Sequence, residues 1–287
     1  MQRLSKDSTW LATTLHRTTL RLSNRQYEVA WLPPASCCNM PDLRNYRPSR
    51  DLLKDRVILV TGASRGIGRV AALAFAAHGA TVVLHGRDVA SLERVYDEIE
   101  TNGYSQPAVV PLDLDKATTR DFDALGYAIE SQLGRLDGIL HNASHLEKLS
   151  PLQQQSPEEW NRTLRINVVA PFALTQACQR LLQLSTDAAV IFTLESHGQD
   201  PTAFWGSYAV AKAGVEALMK IQAAEWQDRA NLRANALLPG PVASPSRART
   251  HPGEVAASQR QPEDLMPAYL YLIGPDSRGV SGAVVEC

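Results

Sequence analysis

The chain has 287 residues, of which 44% are apolar, and a formal net charge of −1. This length allows one large α/β domain or two small ones, and the near-neutral charge without a concentrated basic face argues against nucleic acid as a partner. No apolar run approaches the roughly 18 residues that span a membrane, so we expect no membrane partner either.

The number and spacing of the cysteines indicate whether the protein works in a reducing or an oxidising compartment. The four cysteines are Cys37, Cys38, Cys178 and Cys287. They form neither a Cys-x-x-Cys motif nor a cluster with histidine, and no histidines are paired at metal-binding spacing. This pattern argues against a metal site and against a disulfide framework, and it favours a reducing compartment, which we take to be cytoplasmic.

Residues 1–48 differ in composition from the rest of the chain. Arg, Ser and Thr dominate there. The only acidic residues of the segment are Asp7, Glu28 and Asp42. Such a composition could belong to a transit peptide, but we favour a flexible or non-native extension, with Met40 as an alternative start. The predicted domain therefore covers residues 49–287.

The stretch that organises this domain joins a strand, a glycine turn and a helix. Residues 57–60 are apolar and mostly β-branched, which predicts a strand buried on both faces of a parallel sheet. Gly62, Gly66 and Gly68 follow, and a helical run covers 69–78. In this context the glycines predict a dinucleotide site, because they let a pyrophosphate approach the backbone and the helix N-terminus. A glycine-rich turn without a ligand is the alternative.

Strands and helices then alternate to the end of the chain. Predicted strands cover 80–85, 108–114, 136–141, 188–193, 232–238 and 280–285. Predicted helices cover 89–101, about 122–133, 157–184, 207–229 and 263–272, and 241–262 is predicted to be a mobile loop that covers the substrate. The repeated βα units predict a single doubly wound Rossmann-type α/β domain with a seven-stranded parallel sheet flanked by helices.

Tyr208 and Lys212 lie four residues apart, on one face of the helix predicted for 207–229. A phenol with its ordinary pKa near 10 is a poor proton donor or acceptor at neutral pH. A cation a few ångströms away favours the phenolate, so we expect Lys212 to lower the pKa of Tyr208. Two solvated side chains on an ordinary helix are the alternative for this pair taken alone.

The glycine turn and the Tyr/Lys pair, with several segments around them, resemble the motifs of the short-chain dehydrogenase/reductase family. The matching segments are 61–68, 141–144 (His-Asn-Ala-Ser), Asn167, Ser196, Tyr208 with Lys212, and 239–244. They occur in the family's order and spacing, and the resemblance covers residues 51–287. Segments 262–267 and 205–208 are most similar to the bacterial YciK-type branch.

The resemblance implies four catalytic residues. Tyr208 would exchange a proton with the carbonyl or alcohol oxygen, and Lys212 would lower its pKa and hold the nicotinamide ribose. Ser196 would orient the substrate oxygen, and Asn167 would keep a water near Lys212. The implied cofactor-binding residues are Gly62, Ser64, Arg65, Gly66, Ile67, Gly68, Arg87, Asp113, Leu114, Asn142, Ala143, Tyr208, Lys212, Pro239, Gly240, Val242 and Ser244.

Three residues depart from the family's pattern. Ser144 replaces the glycine of an Asn-Asn-Ala-Gly motif, and His141 replaces its first asparagine. Glu195 directly precedes Ser196, where many relatives have a small hydroxyl residue, and the segment from Ser196 to Tyr208 is slightly short. The Glu195 carboxylate either repels acidic substrates or points into solvent, and the sequence does not decide between the two.

The end of the second strand predicts the cofactor. In NAD-binding domains of this type an acid there bonds the adenosine 2′-hydroxyl. Here Gly86 and Arg87 follow the strand, and the first carboxylate, Asp88, is a predicted helix cap. Arg87 and Arg65 suit a 2′-phosphate, because guanidinium gives paired hydrogen bonds to phosphate. We therefore expect NADP(H); two solvated arginines are the alternative.

These observations predict an NADP(H)-dependent oxidoreductase that interconverts a carbonyl and an alcohol of a small molecule by hydride transfer. The alternative is a catalytically silent NADP(H)-binding sensor or scaffold protein, which would not need the Tyr/Lys pair. A sugar epimerase on the same fold is disfavoured by the glycine spacing and the short C-terminal portion. The resemblance also implies a homodimer or homotetramer formed through helices 157–184 and 207–229.

Overall fold

The computed structural model describes residues 41–255 and 258–287, so the predicted extension up to residue 40 lies outside the described residues. Within them, one sheet contains β1 (Val57–Thr61), β2 (Thr81–Gly86), β3 (Ala108–Pro111), β4 (Gly138–His141), β5 (Ala188–Thr193), β6 (Leu232–Leu238) and β7 (Val284–Glu286). The strand order is β3-β2-β1-β4-β5-β6-β7, and neighbouring strands are parallel. The predicted seven-stranded, doubly wound sheet is confirmed.

Helices cover both faces of this sheet. They are α1 (Gly66–Ala77), α2 (Val89–Thr101), α3 (Thr119–Leu133), α4 (Pro157–Leu164), α5 (Ala170–Leu184), α6 (Ser196–Gln199), α7 (Gly206–Glu225), α8 (Pro245–Thr250) and α9 (Met266–Ile273). Short 3₁₀ turns lie at Leu152–Gln154, Pro262–Leu265 and Pro275–Ser277. In the part of the chain that the structure describes, none of the helices has the length and hydropathy of a membrane span.

The strands are buried because two separate cores lie on the two faces of the sheet. All five residues of β1 are buried, and the first four alternate between these cores. Ile58 and Val60 pack with side chains of α1, α2 and α9. Leu59 packs on the other face with side chains of α3, α5 and α7. Each fully buried aliphatic side chain contributes roughly 1.5–3 kcal/mol, so the apolar strand pattern stabilises both layers.

The helix predicted for 157–184 is present over these bounds, with one π-helical turn in its middle. α4 begins at the capping box of Ser156 and Glu159, as its sequence indicates. A π turn (Arg165–Val169) separates α4 from α5. Such wide turns are frequent at functional sites, and this one contains the buried side chain of Asn167.

The segment 241–262, predicted to be a mobile loop, contains a helix. Ser244 Oγ caps α8 by accepting from Arg247 N at 3.1 Å. The guanidinium of Arg247 donates two hydrogen bonds of 2.6 and 2.7 Å to Glu254. The prediction of a loop was wrong for Pro245–Thr250, because Ser and Pro, which are typical of loops, are also the residues that begin helices.

Several predicted boundaries also differ from the structure. The third strand ends at Pro111 rather than at residue 114, and the fourth begins at Gly138 rather than at residue 136. The helix predicted for 207–229 ends at Glu225. The last strand begins at Val284 rather than at residue 280. Gly282 has φ +80°, a conformation outside the β region, so the strand cannot include it.

The last residues of the predicted extension contact the domain. Tyr46 Oη donates to the carboxylate of Asp276 at 2.7 Å. The Tyr46 ring makes an edge contact with Tyr271, with 5.3 Å between the ring centroids, and Leu43 packs against the same core. The packed part of the chain therefore includes Leu43, six residues before the predicted boundary at residue 49.

A buried ion cluster joins the amino ends of β1, β5 and β6. Asp187 accepts hydrogen bonds from Arg233 and, at 2.6 Å, from Arg56. Burial opposes the ionisation of Asp187, but the two guanidinium groups outweigh it and hold the pKa of this carboxyl below its ordinary value. Removing one partner of such a cluster costs about 3–5 kcal/mol. The cluster thus stabilises the amino ends of these strands, at the opposite end of the sheet from the cavity side.

Candidate active site

A cavity of about 420 Å³ opens at the carboxyl ends of the central strands. The predicted site residues that line it are Gly62, Ser64, Arg65, Gly66, Ile67, Arg87, Asp113, Leu114, Asn142, Ala143, Tyr208, Lys212, Pro239, Gly240, Val242 and Ser244. Among the described residues, Gly68, Asn167 and Ser196 are predicted site residues outside this lining. The structure thus brings the glycine turn and the Tyr/Lys pair to one cavity.

The glycine turn leaves the backbone open toward the N-terminus of α1. Gly62 has φ +68°, and a Cβ there would lie 3.0 Å from Ala143 Cα. Gly66 has φ +56° and lines the cavity. A Cβ on Gly68 would collide with the carbonyl oxygen of Gly62, so this glycine allows the close packing of helix and strand. The turn therefore fits a pyrophosphate in the way that its sequence predicts.

Two exposed arginines lie at the end of the cavity beside β2. Arg65 comes from the glycine turn and Arg87 from the residue after β2, and both line the cavity. Asp88 is the N-cap residue of α2, as predicted, and its carboxylate accepts a hydrogen bond from the hydroxyl of Ser91. The cavity edge next to β2 thus carries two arginine side chains, while the carboxylate of Asp88, the residue after Arg87, is bonded to Ser91 of α2.

Tyr208 and Lys212 lie on one face of α7 and are both buried. Lys212 Nζ lies 5.6 Å from the centroid of the phenol ring and donates to Thr193 O at 2.8 Å. Burial raises the pKa of Tyr208 and lowers that of Lys212 to about 8, because both charged forms lose solvation. The net shift of the Tyr208 pKa is thus upward, opposite to the lowering expected from Lys212, because desolvation is its largest cause.

Ser196 begins α6, and its hydroxyl is bonded to the preceding residue. Ser196 Oγ donates to Glu195 Oε1 at 2.9 Å, and Ser196 N donates to the same oxygen at 3.0 Å. Glu195 itself lines the cavity. Burial lowers the pKa of Lys212 and the charge of Glu195 acts against that, so the carboxylate acts on the Tyr/Lys pair. Of the two orientations left open by the sequence, the structure has Glu195 at the cavity.

The hydroxyl that contacts the phenol belongs to Ser144. Its Oγ lies 3.2 Å from Tyr208 Oη and 2.8 Å from Asn167 Oδ1. The Asn167 amide also bonds His145 N at 3.1 Å, His145 O at 2.7 Å and Thr163 O at 2.8 Å. Asn167 thus joins the π turn to the loop after β4 with its side chain.

The remaining wall of the cavity is aromatic and cationic. Trp205 lines it and stacks on His197, with 3.7 Å between ring centroids, and His251 lies 6.1 Å from Trp205. Arg249 of α8 donates to Leu146 O at 2.8 Å and thereby joins α8 to the loop after β4. Of this wall the sequence predicted only that segment 241–262 covers the substrate. The contacts with Trp205 and Leu146 join separate segments that no local pattern connects.

A family model and several known proteins match this chain. The model for short chain dehydrogenase matches residues 56–254. The uncharacterized oxidoreductase YciK of Escherichia coli (strain K12) is 42% identical over 242 residues, which cover 84% of this chain and 95% of that protein.

Solved structures agree with these matches. A short chain dehydrogenase from Pseudomonas syringae is 45% identical with a TM-score of 0.81, covering 84% of this chain and 98% of that one. A short chain dehydrogenase from Shigella flexneri complexed with NADP is 41% identical with a TM-score of 0.80, covering 83% and 99%. The chain therefore belongs to the short-chain dehydrogenase family and is similar to its YciK-type members.

Proposed function

We propose that this protein is an NADP(H)-dependent oxidoreductase that interconverts a carbonyl and an alcohol of a small molecule, with Tyr208 as the acid and base. Its family is one of oxidoreductases. The observation that carries the proposal is that Tyr208 and Lys212 line the same cavity as the glycine turn. A silent sensor or scaffold, the alternative, would not need a buried phenol and a buried amine beside its nucleotide.

Tyr208 donates a proton to the carbonyl oxygen in the reducing direction and accepts one from the alcohol in the oxidising direction. Bound NADPH supplies the hydride for the reduction. Lys212 is mostly charged at pH 7, since its pKa is about 8, and its ammonium stabilises the phenolate and holds a ribose hydroxyl. Ser196, with Glu195, orients the substrate, and Asn167 holds the loop that carries Ser144.

The choice of NADP(H) rests on the cationic edge of the cavity. The glycine turn holds the pyrophosphate, Arg65 and Arg87 bind the 2′-phosphate, and Asp113 contacts the adenine. The other predicted cofactor-binding residues that line the cavity contact the remaining parts of the cofactor. The NADP complex of the Shigella flexneri relative supports this choice.

The first prediction concerns cofactor discrimination. We expect NADPH to bind at least tenfold more tightly than NADH, about 1.4 kcal/mol, because paired guanidinium–phosphate hydrogen bonds are lost with NADH. Arg65→Ala and Arg87→Ala should each narrow that ratio, measured by fluorescence titration of both cofactors. Arg120→Ala, an exposed arginine of α3, is the matched control and should keep it. Equal affinities, or tighter binding of NADH, would show that the two arginines do not select NADPH over NADH.

The second prediction concerns turnover. Tyr208→Phe should keep its NADPH affinity and lose at least the roughly hundredfold that general acid catalysis supplies. NADPH oxidation is followed with a broad panel of aldehydes and ketones. Tyr127→Phe, an exposed tyrosine of α3, should leave turnover unchanged. A Tyr208→Phe protein as active as the wild type would refute the mechanism, and NADPH binding without turnover of any carbonyl would favour the sensor.

We also propose a homo-oligomer formed through the helices that flank the π turn and through α7, in a reducing, cytoplasmic compartment. Exposed apolar side chains support the first part: Val169 at the end of the π turn, Phe172 on α5, and Val210 and Ile221 on α7. Two free thiols, buried Cys178 and half-buried Cys287, are compatible with the second.

A further inference from the structure

Ser144 and Ser196 bring two hydroxyl groups to the candidate active site, and these groups are engaged differently. Ser196 Oγ donates its single hydrogen to the Glu195 carboxylate at 2.9 Å. A carboxylate is a strong acceptor, so this hydrogen is held away from the phenol. Ser144 Oγ, in contrast, lies 3.2 Å from Tyr208 Oη. The hydroxyl partner of the phenol thus stands where the family's motif has a glycine.

The single hydrogen of Ser144 has two acceptors within reach. Asn167 Oδ1 lies at 2.8 Å and Tyr208 Oη at 3.2 Å. The orientation of the Asn167 amide is set by backbone groups, because its Nδ2 donates to two carbonyl oxygens and its Oδ1 accepts from His145 N. Oδ1 therefore faces Ser144 and can only accept. Around a neutral phenol, the shorter bond to Asn167 holds the hydrogen of Ser144.

The balance between the two acceptors changes when Tyr208 loses its proton. A phenolate oxygen carries a full charge, and hydrogen bonds to charged acceptors are roughly twice as strong as those between neutral groups. The hydroxyl hydrogen of a serine rotates about the Cβ–Oγ bond to the better acceptor. Rotation from Asn167 to Tyr208 requires no movement of heavy atoms, since both oxygens already lie within hydrogen-bond distance of Ser144 Oγ.

We propose that Ser144 is a catalytic hydrogen-bond donor to Tyr208. Asn167 holds the hydroxyl hydrogen while Tyr208 is a neutral phenol, and the hydrogen turns to the phenolate oxygen once Tyr208 has given its proton to the substrate. No covalent bond of Ser144 changes, so the step exchanges one hydrogen bond for another. Asn167 is the positioning residue of this pair. The proposal rests on the proposed function of Tyr208 as the acid and base.

The electrostatic surroundings of the phenol make such a donor important. Burial is the main cause that raises the pKa of Tyr208, and the hydrogen bond from Ser144 acts against it. The charged groups that face the phenol are Glu195, which raises its pKa further, Arg249, which lowers it, and Lys212, whose Nζ is 5.6 Å from the ring centroid. Ser144 supplies its stabilisation without adding another charge to the cavity.

The test measures the ionisation of Tyr208 directly and needs no substrate. 2,3,5-Trifluorotyrosine, a tyrosine analogue that ionises at much lower pH, is incorporated at position 208 and titrated by ¹⁹F NMR. Ser144→Gly should raise the titration midpoint by about one pH unit or more, as expected for a lost hydrogen bond to a charged group. Ser144→Thr, which keeps the hydroxyl, should restore it. Ser196→Ala, the matched control, should move the midpoint by less than about 0.3 unit, because the serine hydroxyl it removes is bonded to Glu195.

A midpoint that Ser144→Gly leaves unchanged, or a larger rise in Ser196→Ala, would overturn the proposal. Ser144→Ala is the second variant, because it removes the hydroxyl without the added backbone freedom of glycine, and thermal unfolding of each variant shows that it is folded. Alcohol oxidation adds a kinetic readout: its pH profile should shift upward by the same amount in Ser144→Gly. Full turnover in Tyr208→Phe would refute the proposed function, whereas the ¹⁹F titration would still decide the role of Ser144.

Discussion

Tyr208 and Lys212 share one face of α7. Burial raises the pKa of Tyr208 and lowers that of Lys212, so it favours the neutral form of each side chain. The unfavourable environment of Lys212 is a cost to the folded state. Its pKa falls from 10.5 to about 8, a difference of about 2.5, which corresponds to about 3 kcal/mol. A residue that served only the fold would not need to be a lysine here, so the cost is consistent with a functional role.

Replacing this lysine should stabilise the protein. Between pH 8 and 10.5 the unfolded chain binds the Lys212 proton more tightly than the folded one, so the cost is full below pH 8 and vanishes as the pH rises to 10.5. We expect Lys212→Met to raise the free energy of unfolding by up to about 3 kcal/mol at pH 7, and by much less near pH 10.

Urea unfolding at the two pH values, without added cofactor, checks this prediction. Lys220→Met is the control on the same helix, since Lys220 is exposed and its i,i+4 pair with Glu216 contributes only about 0.5 kcal/mol. A Lys212→Met protein less stable than the wild type at pH 7 would show that the bond to Thr193 O outweighs the burial of the charge.

The elements α5 and α7 each carry apolar side chains on the face that does not enter the core. Phe172 on α5 and Val210 and Ile221 on α7 are about half exposed, at 49%, 50% and 56%. Large apolar side chains that recur on the outer faces of two helices are typical of a surface that is covered by a second subunit.

A charge on this surface should therefore weaken the assembly. We expect Phe172→Arg to lower the mass measured by size-exclusion chromatography with light scattering, because a guanidinium would be buried without a partner. Tyr127→Arg is the control, since Tyr127 is 72% exposed on α3, outside the two helices. A wild-type protein that is monomeric at all concentrations, or an unchanged mass for Phe172→Arg, would contradict this assembly.

At the scale of the whole molecule, the amino ends and the carboxyl ends of the strands have different roles. The amino ends of the strands are held by the ion cluster of Asp187, Arg56 and Arg233. The carboxyl ends carry the cavity, where the loops after the strands and the helix α8 meet. Residues 41–46 add further contacts to the domain, because Tyr46 packs on the face of the sheet that α9 covers.

The free energy of unfolding of a shortened chain should depend on the residue at which the chain starts. A chain that starts at Met40 should match the full chain in melting temperature and NADPH affinity. A start at residue 49 removes the Tyr46 contacts and should lower the free energy of unfolding by about 1–2 kcal/mol, as should Tyr46→Ala.

Arg47→Ala is the control for this comparison, because Arg47 is exposed. Thermal unfolding of these proteins distinguishes the two boundaries. A melting temperature that falls already on removal of residues 1–39 would show that the earlier residues also stabilise the domain.

The sequence by itself determined the fold class, a doubly wound sheet of seven parallel strands, and the main parts of the candidate site. Strand 57–60, the glycines after it and the Tyr208/Lys212 spacing are local patterns, in which each residue type follows from the backbone or chemistry of its own segment. The capping box at Ser156 and the N-cap position of Asp88 were predicted for the same reason, although the Asp88 carboxylate bonds the Ser91 hydroxyl and not a backbone N–H of the helix.

The tertiary structure alone decided which side chains contact one another in the candidate site. Ser144, Asn167 and Tyr208 are far apart in the chain, so no spacing could show that Ser144 rather than Ser196 contacts the phenol. The sequence likewise placed a cation beside Tyr208, but the direction of its pKa shift depends on how deeply both side chains are buried. Burial and hydrogen-bond partners arise from the packing of distant segments, and local periodicity contains no record of them.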